Sequence, residues 1–244
     1  MRLTRVFIDL PLAPGAEVAL PQHTAEHLLR VLRLREGDAC IAFNGDGRDH
    51  AARVATIGKR GGVLRIGEAT HIDNESPLAI TLVQGVARGE KMDWILQKAT
   101  ELGVTAIIPA FSIRSEVKLQ GERAGKRLAH WRAVVVAACE QSGRARVPQV
   151  AEPLPLKEAL AGVGGTPSWW LDPAAEHSIA QLADMPLTAC ALAVGPEGGW
   201  DERDRMLLRD AGFSGLRLGP RVLRTETAGI AAISALQAVL GDLR

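Results

Sequence analysis

Two glycine-rich segments, Gly195-Pro196-Glu197-Gly198-Gly199-Trp200 and Leu218-Gly219-Pro220-Arg221-Val222-Leu223-Arg224-Thr225-Glu226-Thr227, place charged side chains beside backbone that can bend sharply. Each follows an apolar run suited to a buried strand. In open α/β sheets ligands bind beyond the carboxyl ends of the strands, where glycine lets the backbone come close and offer its amide groups. A structural turn accounts for one such segment; two of them, both containing Gly-Pro, point to a composite pocket. The dinucleotide pattern G-x-G-x-x-G is absent at the first strand-helix junction, and no G-x-x-x-x-G-K-[ST] loop occurs, which disfavours phosphate-bearing cofactors. Of the six histidines only His23 and His27 are close in sequence, and the pair lacks the glutamate that a zinc-hydrolase motif places beside the first histidine. No metal site is expected.

The elements that position these segments fall into two groups. Up to residue 74 the chain reads as short strands around one brief helix: Arg5 to Ile8, a helix from His23 to Leu34, then Ala39 to Phe43, Asp49 to Ile57 and Val63 to Ile72. Asn44-Gly45-Asp46-Gly47 and the glycines around 58–62 are hairpin signals, so consecutive strands are expected to pair antiparallel in a small β-barrel. After Ser76-Pro77 strands alternate with helices, the pattern of a parallel sheet covered on its faces. Ala79 to Val86, Val104 to Phe111, Trp169 to Leu171 and Ala189 to Val194 read as strands. Met92, Ile95, Ala99 and Leu102 mark a helix stopping at Gly103; Leu128, Trp131, Val135 and Ala138 mark another; Asp201 can cap a third running to Ala211. A last helix is expected from about Glu226 to Leu243, with a packing face at Ile230, Ile233, Leu236 and Leu240. The division is therefore 1–74 and 75–244.

Composition bounds the function classes. With 244 residues, 47% hydrophobic and 23% charged, the chain can bury a sizeable core, and it contains no apolar run near the roughly 18 residues of a membrane span. The opening residues lack the long apolar stretch of a signal peptide, so a cytoplasmic protein is expected. Cys40, Cys139 and Cys190 have no paired spacing and are expected as buried free thiols. The net charge is only +1, but between Arg114 and Arg146 eight basic residues face three acids, a local concentration suited to phosphate contacts or to a solvated helix face.

The two glycine-rich segments, together with Lys91-Met92-Asp93-Trp94-Ile95-Leu96-Gln97-Lys98-Ala99-Thr100-Glu101-Leu102-Gly103 and His27-Leu28-Leu29-Arg30-Val31-Leu32-Arg33-Leu34-Arg35-Glu36-Gly37-Asp38, resemble the signature of the RsmE-type methyltransferases of the SPOUT superfamily. The resemblance covers nearly the whole chain. It implies an α/β SPOUT methyltransferase domain at 75–244 with a C-terminal trefoil knot, preceded by a PUA-like β-barrel at 1–74 that binds RNA. It further implies S-adenosylmethionine-dependent methylation of N3 of a uridine in 16S, small-subunit ribosomal RNA, and a homodimer; the residues themselves lead to no expected metal or membrane partner. The cofactor pocket would use Leu171, Gly195, Pro196, Glu197, Gly198, Gly199, Leu218, Gly219, Val222, Leu223 and Arg224.

Methyl transfer from a sulfonium is a direct displacement, and uridine N3 becomes nucleophilic only when its proton leaves. Arg224, with Arg221, is the expected stabiliser of the uridylate, and Glu197 and Glu226 are the nearby carboxylates that could accept the proton. RNA contacts are expected from the β-barrel and from Arg114, Lys118, Arg123, Arg144 and Arg146. With no tyrosine, four phenylalanines and five tryptophans, stacking platforms are few. Open alternatives are a SPOUT methyltransferase acting on another base or a ribose 2′-hydroxyl, a non-catalytic RNA-binding assembly factor, and a nicotinamide oxidoreductase without its fingerprint.

Overall fold

The computed structural model describes residues 3–58, 61–117, 121–183 and 185–243 and divides into two compact units, Met1–Glu75 with Cys139–Val147, and Ser76–Ala138 with Pro148–Arg244. The first unit contains β1 (Arg5–Phe7), β2 (Glu17–Ala19), α1 (Gln22–Ala25), β3 (Ala39–Phe43), β4 (Arg48–Gly58) and β5 (Gly61–His71) in one sheet of order β1-β3-β4-β5-β2 plus the short helix. Alternating residues drive the packing: Val6, Ala42, Val54, Leu64 and Ile66 bury one face and Leu28 seals it. The antiparallel expectation holds for β3, β4 and β5, but β1 pairs parallel with β3. The chain reaches that register only because β2 and the helix intervene, and the three-residue β2 is too short to show as a period in the sequence. The expected helix from His23 to Leu34 is also shorter. After α1 it continues as a π-helical turn over Glu26–Val31, with Leu32 N–H donating to the His27 carbonyl at 3.0 Å, and Arg33 then turns left-handed (φ 59°).

Polar contacts fix Cys139–Val147 within this unit. The Phe7 amide donates to Glu140 Oε1 (3.0 Å), Arg5 donates to the Arg144 carbonyl (3.0 Å) and pairs with Asp49, and Arg144 pairs with Glu75.

The second unit contains β6 (Ala79–Gly85), α2 (Glu90–Glu101), β7 (Val104–Phe111), α3 (Glu122–Ser142, its last turn in the first unit), β8 (Gln149–Val150), β9 (Leu154–Pro155), α4 (Leu156–Ala161), β10 (Ser168–Leu171), β11 (Ala189–Val194), α5 (Glu202–Asp210), β12 (Ser214–Leu216) and α6 (Thr225–Leu240). All strands run parallel in the order β12-β10-β11-β6-β7-β8, with β9 also on β7. The middle pair, β6 and β11, is buried on both faces, which is why those segments read as continuous apolar runs rather than alternating ones. On α2 Met92, Ile95 and Ala99 are buried as their period predicts, joined by Leu96, whereas Leu102 is half-buried at the C-cap; Asp201 caps α5 in a reciprocal capping box with Asp204. At the end of α6, Gln237 is fully buried; it accepts from Ser76 Oγ (2.6 Å) and donates to the Leu102 carbonyl (2.9 Å). The last helix stops at Leu240, three residues before the expected Leu243, and Ile230 is half-buried where a packing position was expected.

Burial pushes the Cys40 thiol up to about 11 and those of Cys139 and Cys190 to about 12, so all three are inert free thiols in the folded chain. No helix among the described residues is long and apolar enough to cross a membrane.

Candidate functional site

The parallel sheet directs the carboxyl ends of β10, β11 and β12 to one edge, and the loops that follow them enclose a pocket of about 490 Å³. Its walls come from Leu171 to Pro173 after β10, from Val194 to Glu197 with Gly199 and Trp200 after β11, and from Leu218, Gly219 and Arg221 to Glu226 after β12. Ten of the eleven residues expected to hold a cofactor line it. The exception is Gly198, whose carbonyl accepts from Arg114 (3.2 Å) and whose missing Cβ would lie 2.9 Å from the Arg114 Cβ; it faces that arginine rather than the pocket. Val222 lines the rim but is 81% exposed, so it is an edge and not an enclosing wall.

Local chemistry holds the loops in place. Gly199, at φ 67°, closes a turn in which its amide donates to the Pro196 carbonyl at 2.9 Å. A Cβ on Gly85, the last residue of β6, would come within 2.6 Å of the Pro196 nitrogen, so glycine there is what lets the Gly195-Pro196 peptide lie against the strand end. Thr225, the first residue of α6, donates its hydroxyl to the Gly195 carbonyl and accepts from the buried Gln84 side-chain amide (3.2 Å). Gln84, Gly85 and Thr225 therefore tie β6, the β11 loop and α6 together. Sequence reasoning missed Gln84 and Gly85 and carried Thr225 only as a member of the second glycine-rich segment; the one signal for Gln84 was a lone glutamine near the end of an apolar-rich strand.

The charged groups divide by how fully they are engaged. Asp172 is buried and forms an ion pair with Arg205 at 2.9 Å across the wall, another pair that the sequence did not reveal. The Glu197 carboxylate accepts from the Arg88 amide (3.1 Å) and lies 3.3 Å from Lys91 Nζ. Burial opposes its ionisation most strongly, yet the backbone amides of Glu197 and Arg88 with the Lys91 ammonium outweigh that and hold the carboxyl below the usual range. Through these contacts Glu197 anchors the β11 loop to α2. Arg221 and Arg224 both line the pocket and are exposed. Arg224 occupies the position just before α6 without a side-chain capping bond. Glu226 also lines the pocket, is 9% exposed, and has a buried Oε2 with no hydrogen-bond partner among the described residues.

The expected RNA-contacting cations separate. Arg114 is half exposed at the pocket and 3.4 Å from Asp201; Arg123 is exposed on the first turn of α3; Arg146 is exposed in the first unit beside Gly47. Lys118 lies outside the described residues. Arg144 is a correction: it is 4% exposed and its guanidinium pairs with Glu75, so it cannot present its charge to a phosphate. No group of three or more histidine, cysteine, aspartate or glutamate side chains among the described residues is placed to hold a metal ion.

The pocket fits a nucleoside-sized ligand with polar ends. Its volume lies within the ordinary range for ligand sites, Leu171, Val194, Leu218 and Leu223 supply apolar walls, and the would-be Cβ positions of Gly199 and Gly219 meet open space.

Known proteins share this arrangement. The model of an RNA methyltransferase domain matches residues 74–237, and that of an RNA methyltransferase PUA domain matches residues 20–67. The chain is 32% identical over 247 residues to ribosomal RNA small subunit methyltransferase E of Bacillus subtilis, covering 96% of each chain. It is 31% identical to the protein of the same name from Buchnera aphidicola (subspecies Schizaphis graminum), covering 99% of this chain and 98% of that one. Among solved structures, a ribosomal RNA small subunit methyltransferase E from Neisseria gonorrhoeae, bound to S-adenosylmethionine, superposes with a TM-score of 0.91 at 40% identity over the whole of both chains.

Proposed function

The chain belongs to the ribosomal RNA small subunit methyltransferase E family, and from that membership we propose that it methylates N3 of a uridine in 16S, small-subunit ribosomal RNA, using S-adenosylmethionine. The observation that carries this reading is the convergence of three strand-end loops on one pocket of nucleoside size, in a chain that matches a relative solved with S-adenosylmethionine over its full length.

When bound, S-adenosylmethionine supplies an activated methyl group on a sulfonium centre. This chain's own residues align and protect the reaction. Leu171, Leu218 and Leu223 are suited to enclose an adenine ring, while backbone groups of Gly195 to Gly199 and Gly219 read its edge and the methionine end. The exclusion of water by these walls favours displacement over hydrolysis. Arg224, with Arg221 beside it at the mouth, stabilises the negative charge that develops on the uracil as N3 loses its proton. The proposal includes a trefoil knot in the C-terminal loops. What supports it is the strand order, in which β11 inserts between β10 and β6 and the segment after β12 returns along the β11 loop to start α6 at Thr225.

Residues 1–74 serve in this reading as a PUA-like RNA-binding domain and 75–244 as the methyltransferase, with Arg114, Arg123 and Arg146 contributing phosphate contacts. The protein works in the cytoplasm as a homodimer, for which the half-buried Ile230, Ala231, Ala235 and Val239 of α6 offer an apolar face.

The test is transfer of label from S-adenosylmethionine to ribosomal RNA or small subunits lacking the modification, followed by nucleoside mass spectrometry. The reading expects 3-methyluridine in small-subunit RNA. A ribose-methylated or other nucleoside moves the acceptor while retaining the cofactor, and RNA binding without any transfer turns the reading to an assembly factor.

A further inference from the structure

A second groove, of about 600 Å³, adjoins the cofactor pocket in the same unit and is lined by Glu90, Lys91, Asp93, Trp94, Gln97 and Glu226. The first five lie on one face of α2, at spacings that helical geometry brings together. Lys91 and Glu226 line both cavities, so they form the boundary between them. An in-line displacement needs donor and acceptor on opposite sides of one methyl carbon, an arrangement that a groove bordering the cofactor pocket allows.

The groove's chemistry selects its occupant. Trp94 is 48% exposed, an unusual solvent cost for an indole, and presents an aromatic surface. Three carboxylates against one ammonium repel phosphate, whereas a neutral base with an N–H donor and a flat face matches both features. Lys91 is already engaged by Glu197 (3.3 Å) and Asp93 by His130 (2.8 Å). Glu226 is different: it is nine-tenths buried, faces both cavities, and its Oε2 has no partner among the described residues. A buried acceptor without a donor is costly to maintain and marks the place where a ligand's donor belongs.

We propose that this groove receives the target uracil, stacked on Trp94, and that Glu226 is the catalytic base that removes its N3 proton. The inference rests on the methyltransferase reading above. The N3–H proton passes to a Glu226 carboxylate oxygen; the nitrogen's electron pair forms the bond to the methyl carbon; the carbon–sulfur bond breaks and leaves its electrons on sulfur. Glu226 then releases the proton to water. The charged groups that line the two cavities with Glu226 are Glu90, Lys91 and Asp93 of α2, Arg114 after β7, Asp172 after β10, Glu197 of the β11 loop, Arg205 of α5, and Arg221 and Arg224 of the segment before α6.

The experiment compares the full-length protein with Glu226→Gln and Trp94→Ala. Each is measured for S-adenosylmethionine binding by calorimetry, for RNA binding, and for single-turnover methylation of small subunits reconstituted with uridine-containing or 5-fluorouridine-containing RNA. Fluorine acidifies N3 and so lessens the need for a base. The expected result is that Glu226→Gln binds S-adenosylmethionine like wild type and methylates uridine roughly 100-fold more slowly at neutral pH. Its deficit shrinks at high pH and with 5-fluorouridine, a rescue that a merely structural role would not produce. Trp94→Ala weakens RNA binding roughly tenfold with the cofactor's affinity unchanged, and Trp94→Phe restores most of it. The base assignment is overturned by a Glu226→Gln rate equal to wild type, by a deficit that 5-fluorouridine leaves unchanged, or by lost cofactor binding, which would place this carboxylate on the cofactor's ammonium. Conversion of a dimer to a monomer by Trp94→Ala, with RNA affinity intact, overturns the stacking role and makes Trp94 an assembly contact. Failure of the wild-type protein itself to transfer a methyl group defeats the methyltransferase reading, and this inference with it.

Discussion

Two arginines show how little a residue's type says until its surroundings are known. Arg144 and Arg224 are equally cationic, and the sequence placed both at RNA or its target. In the fold Arg144 is sealed against Glu75, while Arg224 is exposed at the mouth of the pocket. Removing one partner of a buried pair leaves the other charge uncompensated, so Arg144→Ala is expected to cost about 3–5 kcal/mol in urea unfolding. Arg224→Ala is expected to leave stability within about 0.5 kcal/mol, as for most surface changes. The same substitution should slow single-turnover methylation at saturating RNA by about 100-fold, the scale of a lost oxyanion-type contact. An unchanged rate for Arg224→Ala removes it from the chemistry, and an unchanged midpoint for Arg144→Ala removes it from the structural role. Glu197 teaches the same lesson in the other direction. Its position in a glycine-rich loop suggested a base, and only the tertiary contacts show the Arg88 amide and the Lys91 ammonium gathered on its carboxylate.

Elements convert these residue chemistries into a site. The strands β6 and β11 were legible because burial on both faces demands uninterrupted apolar sequence, and α2 and α5 because period and caps are local properties. The short elements β2, β8, β9, α4 and β12 were not. Two- and three-residue strands have too few positions to show a period, and they exist because a longer neighbour offers them hydrogen bonds. The junction of β6, the β11 loop and α6 is the element-level feature on which the pocket depends. Gly85→Ala drives a methyl group into the Pro196 backbone, which has no flexible end to yield. The expected result is cofactor affinity weakened at least about tenfold by calorimetry, with a melting temperature lowered by a few degrees, the size of an overpacking penalty of about 1–3 kcal/mol. Wild-type affinity in this variant would show that the Gly195-Pro196 peptide can move without cost.

For the whole molecule a net charge of +1 leaves RNA binding to local clusters, so affinity should come from the exposed cations and fall steeply with salt. Titration of RNA binding across a range of potassium chloride concentrations is expected to give a log–log slope near −2 to −4, for about three to five phosphate contacts. A flat response places the affinity in base stacking and shape instead. The amino-acid sequence by itself determined the parallel α/β sheet and the two glycine-rich strand-end segments that line its pocket. Those properties follow from periodicity, glycine placement and motif resemblance, all of which are local in the chain. Only the tertiary structure decided that Gly198 turns to Arg114, that Arg144 is buried, that Gln84 and Thr225 lock the pocket, and that Glu226 borders two cavities with an Oε2 that has no partner among the described residues. Each of these depends on which side chains from distant segments meet at the ends of the parallel strands. Burial and hydrogen-bond satisfaction are properties of such meetings, not of the residues taken one at a time.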